Sequence, residues 1–274
     1  MSLIWGFCNY QNDDDGMLIH KQMYDPIKDF PHSKHHFETQ RNVGAGHMLV
    51  ANTPEAVYEN LPIYLKQEQV LFTAQGRIDN RVELAGKLGL KIDDRCTDGT
   101  LILQSYLKWK RDCVQYLKGD WSFAVFDYSD QALFIARDQM GYTSLYYYQD
   151  ETGFYFSSSI KSILSLPSYK RRLNELHFVR HLTLWDDSID KHGTYFQDIF
   201  SLPIAHMLSV KNRKVSQERY WHPKNISISY RKNKQDYADE MLHLFQSAVK
   251  ARLRSHKPVA SMLSGDWIAV LLAI

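Results

Sequence analysis

Short runs of apolar residues, separated by residues that favour turns, divide the first part of the chain and predict strands. The runs are rich in aromatic and β-branched residues, which strands favour. They lie at residues 71–78, 121–127, 132–137, 145–148 and 154–158. Residues 128–131, Tyr-Ser-Asp-Gln, favour a hairpin between the second and third runs.

A helix is predicted between these strands, from Thr97 to Leu117. Its apolar residues recur at helical spacing, and Thr97 and Asp98 can cap its first turn. Strands that are grouped together, with helices outside them, are typical of an α+β sandwich. This is the fold class that we expect.

The composition changes in the last quarter of the chain. Residues 225–235 are polar and basic and contain no core pattern, so we expect a linker there. An amphipathic helix is predicted from Asp236 to Arg254, with an apolar face and an acidic first turn. Its basic residues Lys250, Arg252 and Arg254 lie at the C-terminal end, where the helix dipole favours cations.

A buried-strand pattern at 258–263 follows, then a turn at Ser264-Gly265 and an apolar stretch at 267–274. A parallel strand buried on both faces needs neighbouring strands and covering helices, which this sequence does not go on to supply. We therefore expect a truncated second domain. Its apolar end favours association between copies, and a homo-oligomer is one expectation.

Composition excludes several classes of protein. The chain has 33 basic and 31 acidic residues and a formal charge of +2, which argues against a nucleic-acid-binding protein. No apolar run approaches the roughly 20 residues of a membrane span, and the start lacks a signal-peptide pattern, so we expect a cytoplasmic protein without a membrane partner. Cys8, Cys96 and Cys113 are widely spaced, which predicts buried reduced thiols rather than a metal site.

Several segments resemble one family when they are taken together. Residues 137–147 read RDQMGYTSLYY and resemble the RDxxGxxPLYY segment of glutamine-dependent asparagine synthetases and other class II amidotransferases. Further segments similar to asparagine synthetases lie, in the right order, at 119–127, 156–161, 196–208, 219–221 and 252–265. The chain is identified by these segments as a member of that family.

The resemblance implies a fold and a reaction. It implies a four-layer αββα sandwich of the N-terminal-nucleophile hydrolase class over 1–210, a connecting segment over 211–235, and the start of an α/β ATP-pyrophosphatase domain over 236–274. In the family the first domain releases ammonia from glutamine. The second uses ATP and Mg²⁺ to activate the carboxylate of aspartate, or of another carboxylate substrate, for amide formation.

The resemblance also assigns the residues of a glutaminase site. Ser2 occupies the position of the family's cysteine nucleophile. The family's NGEIYN loop corresponds to residues 75–80, in which Gln75 and Gly76 fall in the oxyanion region, Arg77 reverses a charge near the substrate, and Asn80 is retained. Asp98 matches the aspartate that binds the substrate amine, and a simple helix cap is an equal alternative.

Two departures from the family pattern predict impaired glutamine hydrolysis. A serine hydroxyl ionises far less near neutral pH than a thiol, whose ordinary pKa is about 8.5. The family's RHRGPD stretch, whose arginine binds the substrate carboxylate, has no counterpart. Its region contains a histidine-rich stretch at 29–36, which is expected to be a solvated loop rather than a metal site.

The ATP-binding loop is altered as well. The family signature SGGxDS corresponds to Ser264, Gly265 and the following Asp-Trp-Ile-Ala, so the expected pyrophosphate site is damaged. Three functions stay open on this basis. They are ATP-dependent amide formation of the asparagine-synthetase type, a non-catalytic amidotransferase-fold module or gene remnant, and a synthetase that closes β-lactam or lasso-peptide rings.

Overall fold

The computed structural model describes residues 2–11, 15–183, 192–231 and 233–260. Its strands are β1 (Leu3–Asn9), β2 (Lys34–Gln40), β3 (Val43–Leu49), β4 (Ile63–Leu65), β5 (Val70–Ile78), β6 (Gly119–Asp127), β7 (Ala132–Arg137), β8 (Tyr146–Gln149), β9 (Gly153–Ser157), β10 (Phe200–Ser201), β11 (His206–Lys211) and β12 (Lys214–Arg219). Its α-helices are α1 (Gly16–Tyr24), α2 (Arg81–Leu88), α3 (Asp98–Trp109), α4 (Ile160–Leu164), α5 (Glu175–Leu182) and α6 (Lys234–Arg252).

The strands form two antiparallel sheets of six strands each in the described part of the chain. One sheet has the order β10-β8-β9-β1-β3-β2, and the other has the order β12-β11-β7-β6-β5-β4. The two sheets pack face to face, because apolar side chains such as Ile4 and Phe156 of the first meet Ala124 and Ile135 of the second in one core. The sandwich is therefore held by two inner apolar faces.

Helices cover the two outer faces. Trp5 and Phe7, which alternate with the inward-facing Ile4, pack with Ile19 of helix α1. On the other sheet Trp121 and other residues of β6 pack against α3. The period of two along each strand sends alternate side chains to the inner and outer cores, which produces the four-layer αββα arrangement. The predicted fold is confirmed.

The predicted strands match observed strands to within two residues at each end. The predicted hairpin is confirmed, since β6 and β7 pair in antiparallel register across residues 128–131. The predicted helix from Thr97 to Leu117 is too long. Helix α3 ends at Trp109, where Lys110 adopts a positive φ of 51°, and a 3₁₀ helix continues to Gln115.

Helix α6 runs from Lys234 to Arg252, within two residues of its predicted bounds. Asn233 caps it by accepting a hydrogen bond from the backbone N–H of Asp236 at 2.9 Å. The apolar residues along it are largely exposed, with Met241 at 72%. A 3₁₀ helix at Pro223–Asn225 leads into the segment 225–235, whose role as a linker stays a prediction. The second sheet continues beyond residue 210, because β11 pairs with β12; the domain boundaries themselves stay predictions.

The pairing of β5 with β6 brings two backbones very close at Gly76. A Cβ atom at residue 76 would lie 2.7 Å from the carbonyl oxygen of Asp120 and 2.7 Å from the Cα atom of Trp121. Both contacts are with backbone atoms of a paired strand, so they cannot be relieved by rotating a side chain. Any side chain at this position must push the two strands apart.

We therefore expect Gly76→Ala to lower the free energy of unfolding by about 1–3 kcal/mol, as overpacking in a core does. Gly86 in α2 is the matched control, since a Cβ there meets no atom within 4 Å. Gly86→Ala should raise stability by about 0.5–1 kcal/mol through helix propensity. Urea unfolding of both variants measures these changes, and a Gly76→Ala variant as stable as the wild type would contradict the close approach.

Candidate functional site

One cavity of about 220 Å³ contains most of the predicted site residues. Ser2 precedes β1, Gln75 and Gly76 lie near the end of β5, and Asp98 begins α3; all of them line this cavity. Pockets for drug-sized ligands measure roughly 300–1,000 Å³, so this one suits a small metabolite. The fold thus brings together residues that lie far apart in the sequence.

Ser2 is held at the wall of the cavity by a neighbouring strand end. Its hydroxyl oxygen accepts a hydrogen bond from the backbone N–H of Val50 at 3.0 Å, directly after β3. The oxygen retains a second lone pair and its own proton. The position predicted for the nucleophile is therefore in the same cavity as Gly76 and Asp98, and its chemical role stays a prediction.

Two residues predicted for the site have structural partners. Gln75 is buried, and its side-chain amide donates to Ser122 Oγ at 2.9 Å and to the carbonyl of Ser144 at 3.0 Å. Both amide hydrogens are engaged, so Gln75 has none left for an oxyanion. Asn80 donates to the carbonyl of Tyr116 at 2.9 Å, which ties its loop to the segment before β6.

Asp98 lies in a buried cluster of carboxylates. It shares Arg81 with Glu55: the Arg81 guanidinium donates to Asp98 Oδ1 and lies 3.2 Å from Glu55 Oε1. Glu59 is nearby, and accepts from the Thr97 hydroxyl at 2.8 Å and from the Gly99 N–H at 3.0 Å. The helix cap is Thr97, not Asp98, since Thr97 accepts from the N–H of Thr100.

Burial governs the protonation of this cluster. It raises the pKa of Asp98 to about 6, although Arg81 opposes the shift. Burial likewise raises the pKa of Glu59. Removing carboxylates from water is unfavourable unless cations pair with them, so the cluster favours positively charged groups. No sequence motif marks Glu55, Glu59 or Arg81, and the sequence analysis did not identify them.

A second ionic cluster lies across the cavity. Arg77 pairs with Asp79 at 3.4 Å, and its guanidinium also donates to the carbonyl of Ala251 in α6. Arg252, the last residue of α6, donates to both carboxylate oxygens of Asp120, one of them at 2.9 Å, and lies 3.0 Å from Asp79 Oδ2. Arg77 therefore faces α6 as well as the cavity.

Arg254 follows α6 and enters the first cluster. Its Nη2 donates to Asp98 Oδ2 at 2.8 Å and to the carbonyl of Ile78 at 3.1 Å, and its Nη1 pairs with Glu55. Burial lowers the pKa of Arg254 to about 10, so it keeps its charge near neutral pH. The helix dipole, which the sequence suggests as the reason for Arg252 and Arg254, is therefore an incomplete explanation of these residues.

The remaining chemical candidates do not form a site in the described residues. Cys8, Cys96 and Cys113 are free and buried, as predicted. Burial raises the pKa of Cys8 to about 12, which excludes a reactive thiolate. Among the described residues, no group of three or more His, Cys, Asp or Glu residues is arranged for a metal ion. Ser264 and Gly265 lie outside the described residues.

The expected solvated loop at 29–36 is partly wrong, because β2 begins at Lys34 and includes His35 and His36. These strand residues are exposed, and the His32 and His35 rings meet edge to face with centroids 5.5 Å apart. Within the described part of the chain, no helix is long and apolar enough to span a bilayer.

Comparison with known proteins supports the same reading of the fold. A family model described as a glutamine amidotransferase domain matches residues 1–221. Asparagine synthetase [glutamine-hydrolyzing] 3 of Bacillus subtilis is 33% identical over 63% of this chain and 28% of its own length. A putative asparagine synthetase [glutamine-hydrolyzing] 2 of Methanocaldococcus jannaschii is 31% identical over 73% of this chain and 39% of its own length. The chain thus spans well under half of these relatives.

Solved structures agree on the fold. Glutamine phosphoribosylpyrophosphate amidotransferase of Bacillus subtilis superposes with a TM-score of 0.57 at 10% identity, over 80% of this chain and 49% of that one. At this identity the likeness concerns the fold alone. It agrees with the αββα layering of the described residues.

His47 of β3 also lines the cavity and is buried, which makes stability depend on pH. Burial lowers its pKa from 6.5 to about 3, with Lys34 contributing in the same direction. Below pH 6.5 His47 is protonated in the unfolded chain but stays neutral in the folded chain. Acidification therefore stabilises the unfolded state relative to the folded state. The effect is about 1.4 kcal/mol per pH unit until the folded-state pKa is reached.

His47→Gln should therefore lose less stability on acidification than the wild type, by about 2 kcal/mol between pH 6.5 and about pH 4.5. Urea unfolding across this range measures the difference. The exposed His243 of α6 offers the control, and His243→Gln should follow the wild type. If the free energy of unfolding of His47→Gln and of the wild type changed equally with pH, His47 would not have a lowered pKa in the folded chain.

Proposed function

The chain belongs to the family of glutamine amidotransferase domains, and on that premise we propose that it is the amidotransferase part of an asparagine-synthetase-like ligase with an impaired glutaminase site. One observation carries this proposal. Ser2, Gly76 and Asp98 share a single cavity, as a glutaminase requires, while the nucleophile position holds a hydroxyl rather than a thiol.

The reaction that such a cavity serves is the release of ammonia from glutamine. A nucleophile at the mature N-terminus attacks the carboxamide carbon and transfers its proton through its own α-amine to the departing ammonia. The backbone at Gly76 would stabilise the oxyanion, and Asp98 would bind the substrate ammonium. Water then hydrolyses the acyl-enzyme to glutamate. Ser2 could attack in this way once Met1 is removed, but at a low rate.

Recognition of the amino acid is weakened too. The ammonium of glutamine has a carboxylate partner in Asp98, whereas its carboxylate lacks the arginine of the family's RHRGPD stretch. Arg77 and Arg252 both line the cavity, but each is already engaged, Arg77 with Asp79 and the carbonyl of Ala251, and Arg252 with Asp120. Glutamine would therefore be bound mainly through its ammonium group.

The synthetase half of the reaction extends the proposal beyond the described residues. ATP and Mg²⁺, implied by the family resemblance, would bind around Ser264 and Gly265, and the acceptor would be aspartate or another carboxylate. We also propose a cytoplasmic location and association between copies. The exposed apolar residues of α6, such as Met241 and Leu244, support the second of these.

A specific observation favours a second candidate, a non-catalytic module of the same fold. Arg254 of the chain itself binds the Asp98 oxygen Oδ2 that a substrate ammonium would need. A chain in which this contact persists would bind glutamine weakly, because Arg254 competes with the substrate ammonium for Asp98. The two candidates differ in whether a restored nucleophile restores turnover.

The test is glutamate release from glutamine by the purified chain and by Ser2→Cys. Removal of Met1 is verified by mass spectrometry in both proteins. We expect the cysteine variant to exceed the unmodified chain by at least about 100-fold, because a thiol is partly ionised near neutral pH and a hydroxyl is not. Ser2→Ala provides the blank.

Two other outcomes are informative. Equal, robust turnover by the unmodified chain and by Ser2→Cys would contradict an impaired nucleophile. No turnover by Ser2→Cys would reject the catalytic proposal in favour of the non-catalytic module.

A further inference from the structure

The segment that follows α6 makes its contacts with the amidotransferase fold through a few polar groups. Arg252 and Arg254 reach the two ionic clusters, and the backbone N–H of His256 donates to the carbonyl of Asn52 at 2.9 Å. Most of α6 before this segment is exposed. The end of the helix is therefore anchored at the mouth of the cavity.

The negative charge around Arg254 indicates that this part of the site favours a cation. Glu55, Glu59 and Asp98 are mostly buried, and Arg81 is the one other cation in direct contact with their carboxylates in the described part of the chain. Without Arg254, the carboxylates of Glu55 and Asp98 would share one arginine, with Glu59 close by and held only by the hydrogen bonds from Thr97 and Gly99. Burying negative charge without a partner is costly, so the cluster requires a second cation.

The arrangement of acceptors fits a guanidinium group. Three oxygen-bearing groups surround Arg254: the Asp98 carboxylate and the Ile78 carbonyl accept its hydrogen bonds, and the Glu55 carboxylate forms an ion pair with it. They come from a 3₁₀ helix, the start of α3 and the end of β5, so the fold fixes their positions independently. A planar guanidinium presents several donors in one plane and can serve all three, whereas an ammonium acts as a single point charge.

Contacts made by the residues before and after Arg254 in the chain hold its side chain in this cluster. Before it, Arg252 binds Asp120 and Asp79, and Arg77 donates to the carbonyl of Ala251. After it, His256 is held by Asn52. Because the flanking backbone is held at both ends, the Arg254 side chain enters the cluster at a high effective concentration.

We propose that the cluster formed by Glu55, Ile78 and Asp98 is a guanidinium-binding site, filled by the chain's own Arg254 and open to small guanidinium compounds when that side chain is absent. Because Arg254 donates to Asp98 Oδ2, it also competes with an amino-acid substrate for this carboxylate. The inference concerns what the site binds and holds whether or not Ser2 hydrolyses glutamine.

The experiment is chemical rescue of Arg254→Ala in the full chain. Thermal unfolding measures the rescue as a change in Tm. Loss of a buried pairing partner should lower Tm by about 5 °C or more. Methylguanidinium at low millimolar concentration should then raise the Tm of Arg254→Ala in a saturable manner and leave the wild type unchanged. Methylammonium should raise it much less, since it lacks the planar set of donors.

Arg231→Ala is the matched control, because Arg231 forms an exposed ion pair with Glu240 far along the chain from this site. It should show no response to methylguanidinium. Adding Asp98→Asn to Arg254→Ala should abolish the rescue. If Arg254→Ala does not fold unaided, it is refolded with and without methylguanidinium, and the recovery of folded chain replaces Tm as the measurement; equal recovery would overturn the proposal.

Equal responses of Arg254→Ala and Arg231→Ala, or no response of either, would overturn the proposal. So would equal rescue by methylammonium, which would show a site for any cation. Glutamine takes no part in these measurements. A failed rescue therefore leaves the glutaminase proposal standing, and a chain without glutaminase activity leaves the guanidinium site standing.

Discussion

The strand pair β5–β6 is buried on both faces, and this constraint fixes the positions of the charged groups around the cavity. Trp121 and Phe123 face the helix layer, whereas Ala124 faces the first sheet. A shift of one residue would exchange these faces, so the register is strongly determined. In that register Arg77 lies opposite Asp120, and the polar ends of both strands emerge together beside α3.

The carboxylates at that edge are too numerous to be explained by stability. Buried ion pairs contribute little net free energy, because the cost of desolvation offsets the attraction between the charges. Replacing Glu55 and Arg81 by packed apolar residues would serve folding at least as well. Their presence beside Asp98 is better explained by binding, since a cluster with excess negative charge is a ready site for a cationic ligand. Arg254 now fulfils that requirement.

Local patterns predicted most of the fold and part of the site. The strands from β5 to β9 were predictable because alternation and turn residues are local properties, and Ser2, Gly76 and Asp98 were identified by resemblance. The end of α3 was not predictable, since apolar spacing continues through the 3₁₀ helix that follows it. Arg254 was missed for a different reason. Its partner Asp98 is 156 residues away, and only the folded chain brings them together.

The two departures from a working glutaminase act on different steps. In the proposed reaction, a hydroxyl at Ser2 would slow attack on a bound carboxamide and lower kcat, whereas Arg254 would compete for Asp98 and raise KM. Neither change compensates for the other, because an accessible Asp98 does not activate a hydroxyl, and a thiol at residue 2 does not remove Arg254. Under the proposed function, a cavity altered in both respects keeps its lining residues, while its Asp98 already binds the chain's own Arg254.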